Sequence, residues 1–364
     1  MKVLHCIPGL GGGGAERQLA YLAGPLNRLN WDVHVAAVAA GPNLPRLVAG
    51  GARLHRIDAA HNHDPRLAWQ LSQIVRRVRP DLIQVWFVQM EVLGGLVAET
   101  FRIPWILSER SSRGAYPATL KNRARVLIAR TADAIVANSR GGLDYWDGRV
   151  PDRIPRVVIP NALPLDEIDA AEPAAPPGLA LSPEDRLVLF AGRFGPEKNI
   201  AGLLTALRTV VQRPHTKAVL CGTGELRARV ALDIAGAGLG DRILLPGYVD
   251  TLWPLMKRAD VVVSVGFFEG RPNTVIEAMA CGRPLVVSDI PAHREILDET
   301  AAFWVDPRDA PGIAAALVAV LENPAEGRRR GESARTRSRH WSIPRAAEEY
   351  DRIYRQVIAS CAAS

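Results

Sequence analysis

Apolar positions in the first 165 residues come in short runs, separated by stretches with helical spacing. Residues 2–7 are a run of β-formers, and glycines follow at 9 and 11–14. Leu19, Leu22, Leu26 and Leu29 then fall on one helical face. Further buried strands are predicted over 33–38, 81–87, 105–107, 134–138 and 156–159. Helices fill the gaps, for instance over 67–78 and 93–100. Such alternation means a parallel sheet covered on both faces. Residues 163–186 interrupt it with Pro164, Pro173, Pro176, Pro177 and Pro183, so neither a helix nor a central strand is expected there. The pattern then restarts, with strands over 187–191, 217–221, 242–245, 261–265 and 285–288. Helices are predicted over 200–212, from 225, over 311–321 and finally over 343–360. The chain therefore reads as two doubly wound α/β domains, 1–165 and 186–342, joined by a Pro-rich linker at 166–185. A ligand cleft is expected between them.

Composition narrows this picture. The 364 residues are 48% hydrophobic and 23% charged, a globular balance that excludes a disordered or fibrous chain. No apolar run approaches the ~18 residues a membrane span needs. Residues 1–7 are too short and too interrupted for a signal peptide, so a cytoplasmic protein is expected. Cys6, Cys221, Cys281 and Cys361 form no C-x-x-C pair and read as reduced thiols. Charge is uneven. Residues 1–165 carry 21 Lys/Arg against 12 Asp/Glu, whereas 166–364 carry 24 against 26. A basic front half suits an anionic partner, either a membrane surface or a phosphorylated substrate. The arginines do not interleave with aromatics and no recognition motif appears, so nucleic acid is not expected.

Three stretches carry chemistry. Gly9-Leu10-Gly11-Gly12-Gly13-Gly14 satisfies G-x-G-x-x-G between a strand and a helix, where backbone N–H groups can face a phosphate. The next strand ends Val38-Ala39-Ala40-Gly41 without the acid a dinucleotide ribose would want, which argues against a nicotinamide site. Gly192-Arg193 and Lys198-Asn199 follow a buried strand, and two cations there suit a diphosphate. The richest stretch runs from Phe268 to Pro284. Glu269 lies in a Gly-Pro loop, Asn273 or Thr274 is expected to cap a helix, and Glu277 sits about a turn into it. The two carboxylates suit polyol hydroxyls or acid–base work. An H-x-H at His61 and His63 reads as a solvated loop rather than a metal site, and no D-x-D motif occurs.

These motifs resemble glycosyltransferase family 4, retaining nucleotide-sugar-dependent enzymes of the GT-B fold. The resemblance rests on the Glu269-x7-Glu277 motif, the Gly192–Asn199 and Gly11–Arg17 loops, and the returning end with Trp341, Tyr350 and Tyr354. It implies a fold of two Rossmann-like domains facing across a cleft, the amino-terminal one binding acceptor. It also implies roles. Arg193 and Lys198 would neutralise the leaving diphosphate, Glu269 would contact donor-sugar hydroxyls, and Glu277 would hold the ribose. Backbone groups at Gly12, Gly13, Asn273, Thr274 and Val275 would assist, with Gly222 and Arg271 lining the donor side. Many relatives carry a histidine after the Asp81-Leu82-Ile83 strand. Here there is none, and Gln89, Glu91, Glu109 or Arg110 would stand in on the sugar or acceptor side.

The expected reaction is metal- and cofactor-independent transfer of a sugar from a UDP- or GDP-sugar to a hydroxyl. The acceptor would be a saccharide or lipid-linked saccharide. A basic amphipathic helix near 120–130, with Lys121, Arg123 and Arg125, would bring the protein to the inner face of an anionic membrane. A GT-B-fold epimerase would need acid–base residues at the sugar carbon and no acceptor. A non-catalytic nucleotide-sugar-binding protein would not need Arg193, Lys198, Glu269 and Glu277 together.

Overall fold

The structure is a computed structural model, and it describes residues 1–59, 64, 66–175 and 181–362. The chain divides into two compact units, Met1–Ala162 with Trp341–Ser364, and Leu163–His340.

Unit 1 holds β1 (Lys2–Gly9), β2 (Asp32–Ala39), β3 (Arg53–Arg56), β4 (Leu82–Trp86), β5 (Trp105–Glu109), β6 (Ala134–Ala137) and β7 (Arg156–Val158). They form one parallel sheet in the order β3-β2-β1-β4-β5-β6-β7. Alternate side chains of the buried strands face opposite layers, as a sheet covered on both sides requires. Val3, Val33 and Val35 pack on the helices Gly14–Arg28 and Ile343–Ala362. Leu4, Cys6 and Ile83 pack on the other face, against Leu71, Ile74 and Val97. The last helix is keyed in by polar bonds as well as by apolar burial. Trp31 donates to Asp351 at 2.7 Å, and the buried Tyr354 hydroxyl donates to Gln84.

Unit 2 repeats the plan with β8 (Arg186–Ala191), β9 (Thr216–Cys221), β10 (Ile243–Gly247), β11 (Val261–Ser264), β12 (Leu285–Ser288) and β13 (Phe303–Val305). The order is β10-β9-β8-β11-β12-β13, again parallel. In both sheets the strand order reverses beside the first strand, between β1 and β4 and between β8 and β11. Loops diverge there and leave a crevice at the carboxyl edge.

Several expectations need correction. The stretch at 163–186 contains the helix Leu165–Ala170. Pro164 precedes it and Pro173 follows it, so no proline interrupts its turns. Asp169 ties this helix to unit 2 through Arg339 (2.6 Å) and Arg335 (3.2 Å), so unit 2 begins at 163 rather than 186. The helix predicted over 93–100 begins at Phe87, directly on the end of β4. Pro176, Pro177, His61 and His63 lie outside the described residues. Among the described residues no helix is long and apolar enough to cross a membrane.

Candidate active site

At the reversal point of unit 2, two loops meet. The first leaves β8 at Gly192, runs through Arg193 and makes a 3₁₀ turn, Pro196–Lys198. A glycine turn after β9 supports it. Gly222 has φ +137°, and a Cβ there would fall 1.9 Å from the Gly192 carbonyl oxygen. Only glycine allows that approach. The second loop leaves β11 and carries Glu269. The Lys198 ammonium donates to the Glu269 carboxylate, and both side chains are largely but not wholly buried, at 21% and 11% exposed. Arg193 projects outward, 69% exposed, and reaches back to Glu197 at 2.7 Å. Two cations and two carboxylates thus gather at one sheet edge.

The helix Asn273–Ala280 follows the Glu269 loop. Neither Asn273 nor Thr274 caps it as expected. Pro272 occupies the cap position with no side-chain bond, and the Thr274 hydroxyl instead donates to the Ala191 carbonyl at 3.0 Å. That bond ties the helix start to the end of β8. The Val275 N–H donates to Pro272 at 3.0 Å, so it is engaged within the first turn rather than offered to a ligand. Glu277 is almost fully buried one turn in, and Arg271 is buried with its guanidinium 3.9 Å from Glu295.

Unit 1 places the glycine loop at its own reversal point. Gly12 and Gly13 are exposed ahead of the helix Gly14–Arg28. The Glu16 carboxylate folds back over Gly13, where a Cβ would meet it at 2.4 Å. Burial raises the Glu16 pKa, while Arg110 pulls it the other way. Arg110 is half-buried at the end of β5, donates to Asn161 at 2.8 Å, and lies over the Trp86 ring at 4.9 Å. Gln89 is half-buried near the start of the helix Phe87–Phe101.

Glu91 and Glu109 are not available to a substrate. Both are buried and grip Arg125, itself fully buried, with Glu109 at 2.6 Å. Glu109 also accepts from the Tyr116 hydroxyl (2.5 Å), the Ser111 N–H (2.8 Å) and the Trp146 indole (3.1 Å). Burial pushes the Glu91 carboxyl up to about 7 against the pull of Arg125. Arg125 is therefore no part of a basic surface. The helix Leu120–Ala129 turns outward with Leu120, Lys121, Arg123 and Leu127 instead.

Two residues at the unit 2 edge escaped the sequence reading. Glu197 was detectable from its i, i+4 spacing to Arg193. His293 had no local signal. Its ring is buried, donates from Nδ1 to the Ser288 carbonyl at 2.8 Å, and lies in the field of Glu269 and Lys198. Burial lowers its pKa, against the Ser288 hydrogen bond and the Glu269 charge. Among the described residues, no group of three or more His, Cys, Asp or Glu side chains could hold a metal ion.

Comparison with known proteins matches residues 173–337 to the model for glycosyl transferases group 1, and residues 13–162 to a glycosyl transferase 4-like domain. The lipopolysaccharide core biosynthesis glycosyltransferase LpsD of Rhizobium meliloti is 26% identical over 336 residues, covering 89% of both chains. The phosphatidyl-myo-inositol mannosyltransferase of Mycolicibacterium smegmatis is 36% identical over 215 residues. That match covers 55% of this chain and 52% of the relative, so the chain spans about half of that protein's length. Among solved structures, Anabaena HepE in complex with UDP and glucose superposes with a TM-score of 0.85 at 20% identity. It covers 98% of this chain and 100% of HepE. The fold is GT-B, as expected.

Proposed function

The chain belongs to the group 1 glycosyltransferases with a family 4-like amino-terminal domain, and from that premise we propose a finer reading. It moves a hexose from a UDP- or GDP-sugar to a hydroxyl of a saccharide or lipid-linked saccharide, with retention at the anomeric carbon and without a metal. The single observation behind it is the meeting of Lys198 with Glu269 beside Arg193 at the reversal point of unit 2.

In this reading Lys198 and Arg193 exchange their carboxylate partners for the donor diphosphate. Their charge counts most as the glycosidic bond breaks and negative charge grows on the leaving oxygens. Glu269, released from Lys198, accepts hydroxyls of the sugar. Glu277 takes the ribose. With Glu269 committed to hydroxyls, the acceptor enters on the face the diphosphate leaves, and a leaving phosphate oxygen takes its proton. Catalysis is then orientation plus charge stabilisation. Arg110 and Gln89 serve the acceptor side.

Support for the donor class comes from HepE, which binds UDP and glucose. Support for a glycolipid acceptor comes from relatives that build lipopolysaccharide core and mannosylate phosphatidyl-myo-inositol. The exposed Leu120 and Leu127, flanked by Lys121 and Arg123, suit peripheral contact with an anionic bilayer. A hydrolysis screen across nucleotide sugars in excess chelator, followed by lipid-linked acceptors and anomeric analysis of the product, tests the reading. Turnover of one UDP- or GDP-sugar with a retained anomer is expected. Activity only after Mg²⁺ or Mn²⁺ is restored, or an inverted product, would overturn the corresponding part.

A further inference from the structure

Lys198 and Glu269 meet although 71 residues separate them, and each sits on a loop that its own strand does not fix. Something must hold the two loops in register. The residue after Lys198 does this. Asn199 is 7% exposed and adopts φ +53°. Its Oδ1 accepts from the Gly202 N–H at 3.3 Å and so caps the helix Ile200–Val210. Its Nδ2 donates to the Val265 carbonyl at 3.2 Å and to the Pro307 carbonyl at 2.5 Å. One side chain thereby joins the loops that follow β8, β11 and β13.

We infer that Asn199 is a positioning residue for the Lys198–Glu269 pair, its amide clamping the turn that carries Lys198 onto the loop that carries Glu269. The inference rests on the donor-site reading for its consequence in catalysis, but the clamp itself does not. The neighbouring bonds have the same sense. Phe267 N–H donates to the Glu197 carbonyl at 2.8 Å, and Ser288 Oγ donates to the Gly266 carbonyl at 2.7 Å. Three consecutive residues, Val265, Gly266 and Phe267, are thus each held just before Glu269. Two of those three bonds come from the Lys198 turn.

The chemistry selects asparagine. The site asks for left-handed backbone, one acceptor and two donors from a short side chain. Aspartate keeps the backbone tolerance and the cap acceptor but offers no donor to Val265 and Pro307. Glycine keeps only the backbone. Glutamine carries the same amide one methylene too far.

The chain has five lysines, so reductive ¹³C-methylation gives a simple spectrum, and Lys198→Arg assigns the Lys198 signal. In Asn199→Asp and Asn199→Gly, the Lys198 signal is expected to move toward its position in Glu269→Gln, while the other four stay. In unmethylated protein both variants should lower kcat about tenfold to a hundredfold, the range set by small misplacement of a catalytic group. The Kd for nucleoside diphosphate should change far less than kcat. Asn323→Ala is the matched control. It removes the side-chain cap of the helix Pro324–Ser338 in the same unit, away from the three clamped loops, and should lower the melting temperature without moving Lys198 or kcat. An unmoved Lys198 signal in both Asn199 variants, or an equal response in Asn323→Ala, would overturn the inference. A moving Lys198 signal in a protein that turns over no nucleotide sugar would uphold the clamp and sink the donor reading instead.

Discussion

Arg125 in unit 1 and Lys198 in unit 2 each meet glutamate, but the two clusters differ in how far solvent reaches them. The Arg125 guanidinium is fully buried, holds Glu91 and Glu109, and lies over Tyr116 at 4.0 Å and Trp146 at 4.6 Å. Glu109 is saturated by three further donors. No ligand can enter without breaking the core. Lys198 and Glu269 are paired at a rim, with Arg193 outside them. Water reaches this pair, so its partners can be exchanged at modest cost. Similar charges therefore build a ionic core in one place and an exchangeable site in the other. Burial, not residue type, makes the difference.

That contrast can be broken most forcefully at Arg125. Arg125→Met leaves two carboxylates in the core and is expected to cost unit 1 about 3–5 kcal/mol. Replacing Arg125, Glu91 and Glu109 together by apolar residues of similar volume should recover most of it. Hydrogen exchange across the helix Leu120–Ala129, with urea unfolding, reads both. If the single variant is as stable as wild type, the cluster is not a core.

Arg193→Ala or Lys198→Ala should reduce kcat by roughly 10²–10³, or about 3–4 kcal/mol, with a smaller change in the Michaelis constant and the melt unaltered. Steady-state kinetics would contradict the assignment if kcat stayed within a fewfold of wild type. The two acids sharpen the contrast further. Glu277→Ala should raise the donor Michaelis constant, by roughly tenfold for a lost hydrogen bond to a charged group, at nearly constant kcat. Glu269→Ala should change both constants, because the sugar alters charge and shape during transfer. A pure kcat effect in Glu277→Ala would reverse the roles. The smallest effect concerns the surface. Leu120→Asp with Leu127→Asp should weaken flotation with anionic vesicles by roughly tenfold at low salt and leave transfer to a soluble acceptor unchanged. Equal, weak flotation of wild type with neutral and anionic vesicles would remove the membrane from the account.

Most of the fold was legible because parallel strands buried on both faces print as apolar runs. β3 was not, since Arg53-Leu54-His55-Arg56 lies at a sheet edge with little apolar content. β13 is three residues long and also at an edge. The helix Pro324–Ser338 escaped because five arginines and few apolar residues leave no periodic stripe. At the site, the spacing around Gly192 and Glu269 marked the residues that meet. It could not show that Glu91 and Glu109 turn inward to Arg125, since their union depends on three separate elements. Nor could it show Thr274 reaching Ala191, or Asn199 bridging three loops, because those partners lie far away in sequence.

The central claim is that unit 2 carries a diphosphate site built on Arg193 and Lys198 without metal. Calorimetric titration of UDP and of GDP into the wild type and the Arg193→Ala/Lys198→Ala double variant, in excess chelator, tests it most directly. One of the nucleotides is expected to bind the wild type and to bind the double variant at least about tenfold more weakly, as loss of two charge-assisted contacts demands. Binding of neither nucleotide, or equal affinity in the two proteins, would contradict it.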